Sequence, residues 1–264
     1  MGLSVVQVDA FTNQPFKGNP AAVCVSEGPV ERNLMQAVAT EMNLSETAFA
    51  YPAGEGYHLR WFTPTTEVKL CGHATLATAH VLWSEGHLSD NQTARFDTLS
   101  GELTAQKQDD WIQMKFPAQP PRPATVMPHL IAALNRADIH QVMRNDADYL
   151  VVLRSQAAVE ALTPNFEEMA KLQARGVIVT SPADSDEYDF VSRFFAPAFG
   201  IPEDPVTGSA HCALVPYWAE RLGKTEMVAY QASARSGVLK LRTDGHCVFM
   251  SGQAVTTLRG ELAV

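Results

Sequence analysis

Two stretches of this chain repeat one another in order, and that duplication constrains the fold more than any other feature. Arg60-Trp61-Phe62-Thr63-Pro64 returns as Arg193-Phe194-Phe195-Ala196-Pro197, 133 positions on (193 − 60). The segment from Glu67 to Ala74 returns from Glu203 to Ala210, with Gly72 matched to Gly208 at 136 (208 − 72). Ser100-Gly101-Glu102-Leu103 matches Ser236-Gly237-Val238-Leu239, and Trp111-Ile112-Gln113-Met114 matches Cys247-Val248-Phe249-Met250, both at 136 (236 − 100). Upstream, Tyr51-Pro52-Ala53 matches Ser181-Pro182-Ala183 at 130 (181 − 51). Repeats this long make two similar domains rather than a solenoid of short units.

The natural joint is Phe116-Pro117-Ala118-Gln119-Pro120-Pro121-Arg122-Pro123, where four prolines forbid helix and favour extended backbone. The expected domains are residues 1–117, joined by the C-terminal segment 255–264, and residues 118–254. Half one reads as strands at Val5–Phe11 and Ala21–Val25 around a Lys17-Gly18-Asn19-Pro20 turn. An amphipathic helix follows over Leu34–Met42, then a hairpin of Thr47–Tyr51 with Tyr57–Phe62. A helix is expected over Gly72–Ser84, and two strands within Phe96–Met114. Half two offers strands at Tyr149–Leu153, Val177–Thr180 and Phe190–Phe195. Its helices are expected near Phe166–Ala174 and Gly208–Leu222, the latter bent at Pro216. The helix from Gly72 is apolar nearly all round, so it should lie buried against its own sheet. The fold class is α+β: two repeat domains, each a strongly curved sheet wrapped about a central helix.

Composition removes several functions. Of 264 residues, 46% are hydrophobic and 19% charged, which excludes disorder. A net charge of −9 argues against nucleic acid or an anionic membrane surface as partner. No apolar stretch reaches the length of a spanning helix, and no secretory leader is visible. Cys24, Cys71, Cys212 and Cys247 do not make a disulfide framework in so long a chain, so a cytoplasmic location with reduced thiols is expected. No dinucleotide or P-loop signature is present, so no cofactor is expected. Cys71 with His73, or His211 with Cys212, lacks the usual zinc-ligand spacing, so no metal is expected. Ser209 lacks the flanking glycines of a nucleophile elbow.

Both long helices open on a matching turn, Cys71-Gly72-His73 and Thr207-Gly208-Ser209. Free N–H groups and the positive end of the helix dipole suit an anion there, and glycine lets a ligand approach closely. Ordinary capping reads the same turns equally well. More telling are the positions where the halves disagree: His73 faces Ser209 in the alignment, Asp204 faces Val68, and Glu46 faces Gly176. Such one-sided polar groups suggest one-sided chemistry at a cleft between the halves. Glu46 lies between a helix end and an apolar strand, where desolvation raises a carboxylate pKa toward neutrality and fits it to accept and return a proton. It also reads as a solvated loop glutamate. His73 is compatible with proton carriage, hydrogen bonding or capping, and Asp204 with an Asx-turn.

Taken together, Gln7-Val8-Asp9-Ala10-Phe11, Phe16-Lys17-Gly18-Asn19-Pro20-Ala21-Ala22-Val23, Asn43-Leu44-Ser45-Glu46-Thr47-Ala48-Phe49, Arg60-Trp61-Phe62-Thr63-Pro64, Leu70-Cys71-Gly72-His73-Ala74-Thr75 and Glu203-Asp204-Pro205-Val206-Thr207-Gly208-Ser209-Ala210-His211 resemble the PhzF family of phenazine-biosynthesis-like proteins. That family shares the diaminopimelate epimerase-like fold. The resemblance implies a cofactor-independent isomerase, commonly a homodimer, that shifts a proton on a small carboxylic acid. It makes Glu46 the acid/base, with His73 and Asp204 in supporting roles at the reaction. It assigns Asn19, Gly72, Gly208 and Ser209 to the substrate. Related racemases and epimerases use two facing cysteines. Here the first position holds Cys71 but the second holds Thr207, whose hydroxyl is a far poorer base than a thiolate. A racemase of that type, and a small-acid binding protein without turnover, are the alternatives.

Overall fold

The computed structural model describes residues 2–135 and 137–264. Its chain divides into two compact units, Met1–Lys115 with Met250–Val264, and Phe116–Phe249.

The first unit begins with β1 (Leu3–Ala10) and β2 (Asn19–Val25), followed by α1 (Arg32–Met42), β3 (Glu46–Ala53), β4 (Gly56–Phe62) and the short β5 (Glu67–Val68). The central helix α2 (Gly72–Ser84) precedes β6 (Ala94–Thr98), β7 (Gly101–Gln108) and β8 (Trp111–Pro117). Phe96–Met114 therefore carries three strands where two were expected, because left-handed Asp109 (φ 53°) makes a second tight turn besides the one at Gly101 (φ 89°). Pairing is antiparallel for β1 with β2, β3 with β4, β4 with β5, β6 with β7 and β7 with β8, and parallel for β2 with β3 and β4 with β6. The C-terminal strand Ala254–Leu262 lies antiparallel on the outer side of β1, Leu3 opposite Leu262. Helix α2 packs on β1, β2, β3 and that C-terminal strand, so the sheet wraps it. His73 to Ala79 and Val81 to Trp83 are all buried, as an apolar helix requires. A second cluster under α1 gathers Val5, Cys24, Met35, Val38, Phe49 and Phe62.

After a short extra strand and helix, the second unit follows the strand order of the first. It runs β9 (Arg122–Pro123), α3 (Pro128–Ala133), β10 (Ile139–Arg144) and β11 (Asp148–Leu153), then α4 (Gln156–Glu160), α5 (Phe166–Met169), β12 (Gly176–Pro182) and β13 (Phe190–Ala196). After β14 (Ile201–Asp204) come α6 (Gly208–Leu222), β15 (Glu226–Gln231) and β16 (Gly237–Thr243). The parallel pairs are β11 with β12 and β13 with β15; β12–β13, β13–β14 and β15–β16 are antiparallel. Each parallel or antiparallel step thus has its counterpart in the first unit. The helix expected over Phe166–Ala174 stops at Met169. Helix α6 continues through Pro216, which has no N–H for the Cys212 carbonyl; the Gln119 N–H fills that vacancy at 2.9 Å. The proline-rich joint therefore also satisfies a helix carbonyl. The core of this unit gathers Leu130, Val151, Val179, Val191 and Phe195 under its short helices. Among the described residues no helix is long and apolar enough to cross a membrane.

Candidate active site

What the two units share is structural. In the first, Arg60 grips Glu67 with two parallel bonds of 2.7 and 2.8 Å; in the second, Arg193 grips Glu203 at 2.7 and 2.9 Å. Each fork pins a short strand just before a central helix, and the Arg60 bond holds the Glu67 carboxyl below its ordinary range. The capping residues Cys71 and Thr207 are both extended, and neither side chain caps its helix. In both units the side chain four residues on bonds the capping residue's carbonyl: Thr75 Oγ1 donates to Cys71 at 2.5 Å, and His211 Nδ1 donates to Thr207 at 2.9 Å.

What differs lies beside the helix starts. In the first unit Glu46 is the first residue of β3, placed after a left-handed Asn43 that ends α1. Its Oε2 lies 3.4 Å from Nε2 of His73, the second residue of α2. The His73 ring is buried. Burial pushes its pKa down to about 3, against a bond to the Pro20 carbonyl that raises it. The imidazole is therefore neutral at pH 7, so this contact is no salt bridge, and Nε2 makes no well-formed hydrogen bond. On the other side of the ring, Nδ1 lies 3.5 Å from Cys71 Sγ. Glu46, Cys71 and His73 thus form one cluster at the start of α2. Gly72 is the first residue of that helix.

Asn19 opens β2, fully buried, directly before Pro20. Its placement depends on Gly18 (φ 64°), where a Cβ would sit 2.1 Å from the Ala10 carbonyl oxygen. It depends also on buried Asp9, whose carboxylate accepts the Phe16 N–H at 2.7 Å. Asp9 stands in the quoted sequence motif, but no chemistry pointed to it there; a buried aspartate alternating within an apolar strand is the signal.

In the second unit the counterpart of Glu46 is Gly176, the first residue of β12. A Cβ there would meet the Phe194 ring at 2.4 Å, so this half has no room for a side chain. Its polar group is Asp204 instead, at the end of β14. Thr207 Oγ1 donates to Asp204 Oδ2 at 2.5 Å. Gln231, fully buried at the end of β15, ties the turn together: its Oε1 accepts the Thr207 N–H at 2.8 Å, and its Nε2 donates to the Asp204 carbonyl at 2.9 Å and to Thr207 Oγ1 at 3.2 Å. Sequence reading missed Gln231. It lies 24 residues beyond Thr207, outside any local motif. Gly208 and half-buried Ser209 follow as the first two residues of α6. The structure thus brings Glu46 to His73 in one unit, and Asp204 to the α6 start with Gly208 and Ser209 in the other.

Comparison with known proteins fits this construction. Residues 8–260 match the family model of PhzC-PhzF, phenazine biosynthesis-like protein. An uncharacterized isomerase of Halalkalibacterium halodurans is 54% identical over 263 residues, covering 99% of both chains. A phenazine biosynthesis-like domain-containing protein of Homo sapiens is 39% identical over 290 residues, also at 99% of both. A crystal structure of a PhzF family protein from Enterococcus faecalis superposes with a TM-score of 0.96 at 42% identity over 100% of both chains. A hydroxyproline epimerase of Agrobacterium vitis, 8% identical with a TM-score of 0.66 over 100% of this chain and 93% of its own, shares the fold. The chain belongs to the PhzC-PhzF family of phenazine biosynthesis-like proteins, an enzyme family whose curated bacterial relatives are named isomerases.

Proposed function

We propose that this protein is a cofactor-independent isomerase that moves a proton on a small carboxylic acid, with Glu46 as the single acid/base. The observation that carries this reading is the Glu46 carboxylate 3.4 Å from a neutral, buried His73 at the start of an apolar helix. A neutral imidazole beside a carboxylate leaves Glu46 its negative charge for abstracting a proton from carbon, and supplies a polar neighbour when the charge is spent. Asp204, with its hydroxyl partner Thr207, is the supporting group. Gly72, Gly208, Ser209 and Asn19 hold the substrate anion. The two helix starts, whose capping residues Cys71 and Thr207 make no side-chain capping bond, offer backbone donors for a carboxylate. The same reading takes the enzyme as a cytoplasmic homodimer, to be checked by light scattering of the purified protein.

The test is a screen of small carboxylic and amino acids for solvent deuterium incorporation. With a substrate in hand, Glu46→Gln is expected to lower exchange by about 10²–10⁴-fold, the range for a positioned general base. Full turnover in that variant would sink the assignment. A two-cysteine racemase is disfavoured by Thr207, whose hydroxyl donates to Asp204 rather than standing ready as a base. Cys71→Ala should therefore keep most of the exchange; its loss would favour the racemase. A ligand that binds without any exchange would favour a binding protein.

A further inference from the structure

We propose that Glu46, Cys71 and His73 also form a binding site for a thiophilic divalent cation such as zinc or cadmium, which would shut the enzyme off. One donor atom from each of the three lies within 4.8 Å of the others. Either of two spacings, 3.4 Å from Glu46 Oε2 to His73 Nε2 or 3.5 Å from Cys71 Sγ to His73 Nδ1, matches one edge of a tetrahedral zinc site, ~3.4–3.6 Å for bonds of about 2.0–2.3 Å, but they run to opposite ring nitrogens and so do not both belong to one ion's shell. An ion takes only one ring nitrogen, so closing the site asks one neighbouring side chain to move by roughly an ångström. Sulfur, nitrogen and oxygen donors together select zinc or cadmium over magnesium or calcium, which prefer all-oxygen sites. A thiolate and a carboxylate bring two negative charges to a dication, which offsets the positive helix end at Gly72.

Sequence spacing gave no reason to expect a metal, because Cys71-Gly72-His73 is only a pair. Glu46, 25 positions upstream of Cys71 (71 − 46), becomes the third ligand only when β3 is laid beside α2. Three protein ligands leave a fourth position for water. The ion would occupy both groups that the proposed reaction needs, so on that reading it inhibits rather than assists.

Cation binding is measured without substrate. Titrating the purified protein with Co²⁺ should give one thiolate-to-cobalt charge-transfer band in the near ultraviolet, bleached by added Zn²⁺. Cys71→Ser should lose the band while keeping its circular dichroism, and Cys247→Ser, which alters the one thiol of the four that is not buried, should keep it. Should Cys71→Ser fail to fold, zinc-edge X-ray absorption of the wild-type protein replaces it, with one sulfur in the first shell expected. No band, a band lost only with Cys247→Ser, or a sulfur-free shell overturns the site. Once a substrate is found, stoichiometric Zn²⁺ should abolish exchange and a chelator restore it. Failure of the spectroscopic arm strikes the metal site alone, whereas full exchange by Glu46→Gln strikes the catalytic reading alone.

Discussion

Burial lowers the pKa of His73 and His80 in the first unit and of His211 in the second, and the shift is large for His73 and His211. The folded pKa is about 3 for His73 and about 4 for His211, against an ordinary value of 6.5. For a base with a lowered folded pKa, the unfolded chain takes up protons first. The stability each contributes is complete above pH 6.5 and is lost as pH falls below it. The slope reaches about 1.4 kcal/mol per pH unit per histidine, so each costs about 2 kcal/mol by pH 5. Urea unfolding at pH 7 and pH 5 should show this. His211→Gln, which can still reach the Thr207 carbonyl, should flatten the acid loss by about 2 kcal/mol. An unchanged acid limb in that variant would mean that His211 does not carry it.

The turn before α6 holds at three points, and Gln231 makes contact with all of them. Gln231→Leu keeps the bulk of the side chain but removes the acceptor of the buried Thr207 N–H and one donor to the Asp204 carbonyl. A cost of about 1–3 kcal/mol is expected for the buried N–H that loses its acceptor. Exchange activity should fall with little change in substrate binding, since Asp204 loses its hold rather than its charge; an unaltered melting temperature would count against this role. These elements also show what a sequence can tell. Helices α2 and α6 begin where expected, at Gly72 and Gly208, because an extended capping residue followed by glycine is a local signal. Helix α5 ends early because Met169 and Leu172 alone supplied the apolar spacing beyond Phe166. The Glu46–His73 pair was legible as two one-sided residues from the repeat, but its 3.4 Å contact is a product of the β2–β3–α2 arrangement. Gln231 acts across an element with no periodic or motif signal, so only the fold reveals it.

Each unit has its own core, but only the second is continuous in the chain. Residues 116–249 are therefore expected to fold alone, with a cooperative thermal transition in circular dichroism. Residues 1–115 lack the strand that covers β1, and leave both a ladder edge and the apolar back of α2 exposed. That fragment should aggregate unless residues 250–264 are supplied. A soluble, cooperatively melting 1–115 would show that the C-terminal strand is dispensable. On the proposed function, the duplication also accounts for where the chemistry would settle. The forks Arg60–Glu67 and Arg193–Glu203 kept both copies of the scaffold rigid, while Glu46 and Gly176, and His73 and Ser209, were free to diverge.

The return of the last strand to β1 places Leu3 opposite Leu262. The order of the domains along the gene is then a convention of where the chain happens to be cut. Tying the ends with a short glycine–serine bridge and opening the chain at Ala118-Gln119 gives a circular permutant in which the second unit comes first and the first becomes uninterrupted. The Ala118 and Gln119 amides bond the His246 and Cys212 carbonyls at 2.9 Å each, so an opening at Phe116-Pro117, which leaves both amides intact, should melt higher than one that turns Gln119 into an N-terminal amine. Such a permutant turns a nested protein into two beads on a string, and each bead could then be exchanged for a relative's.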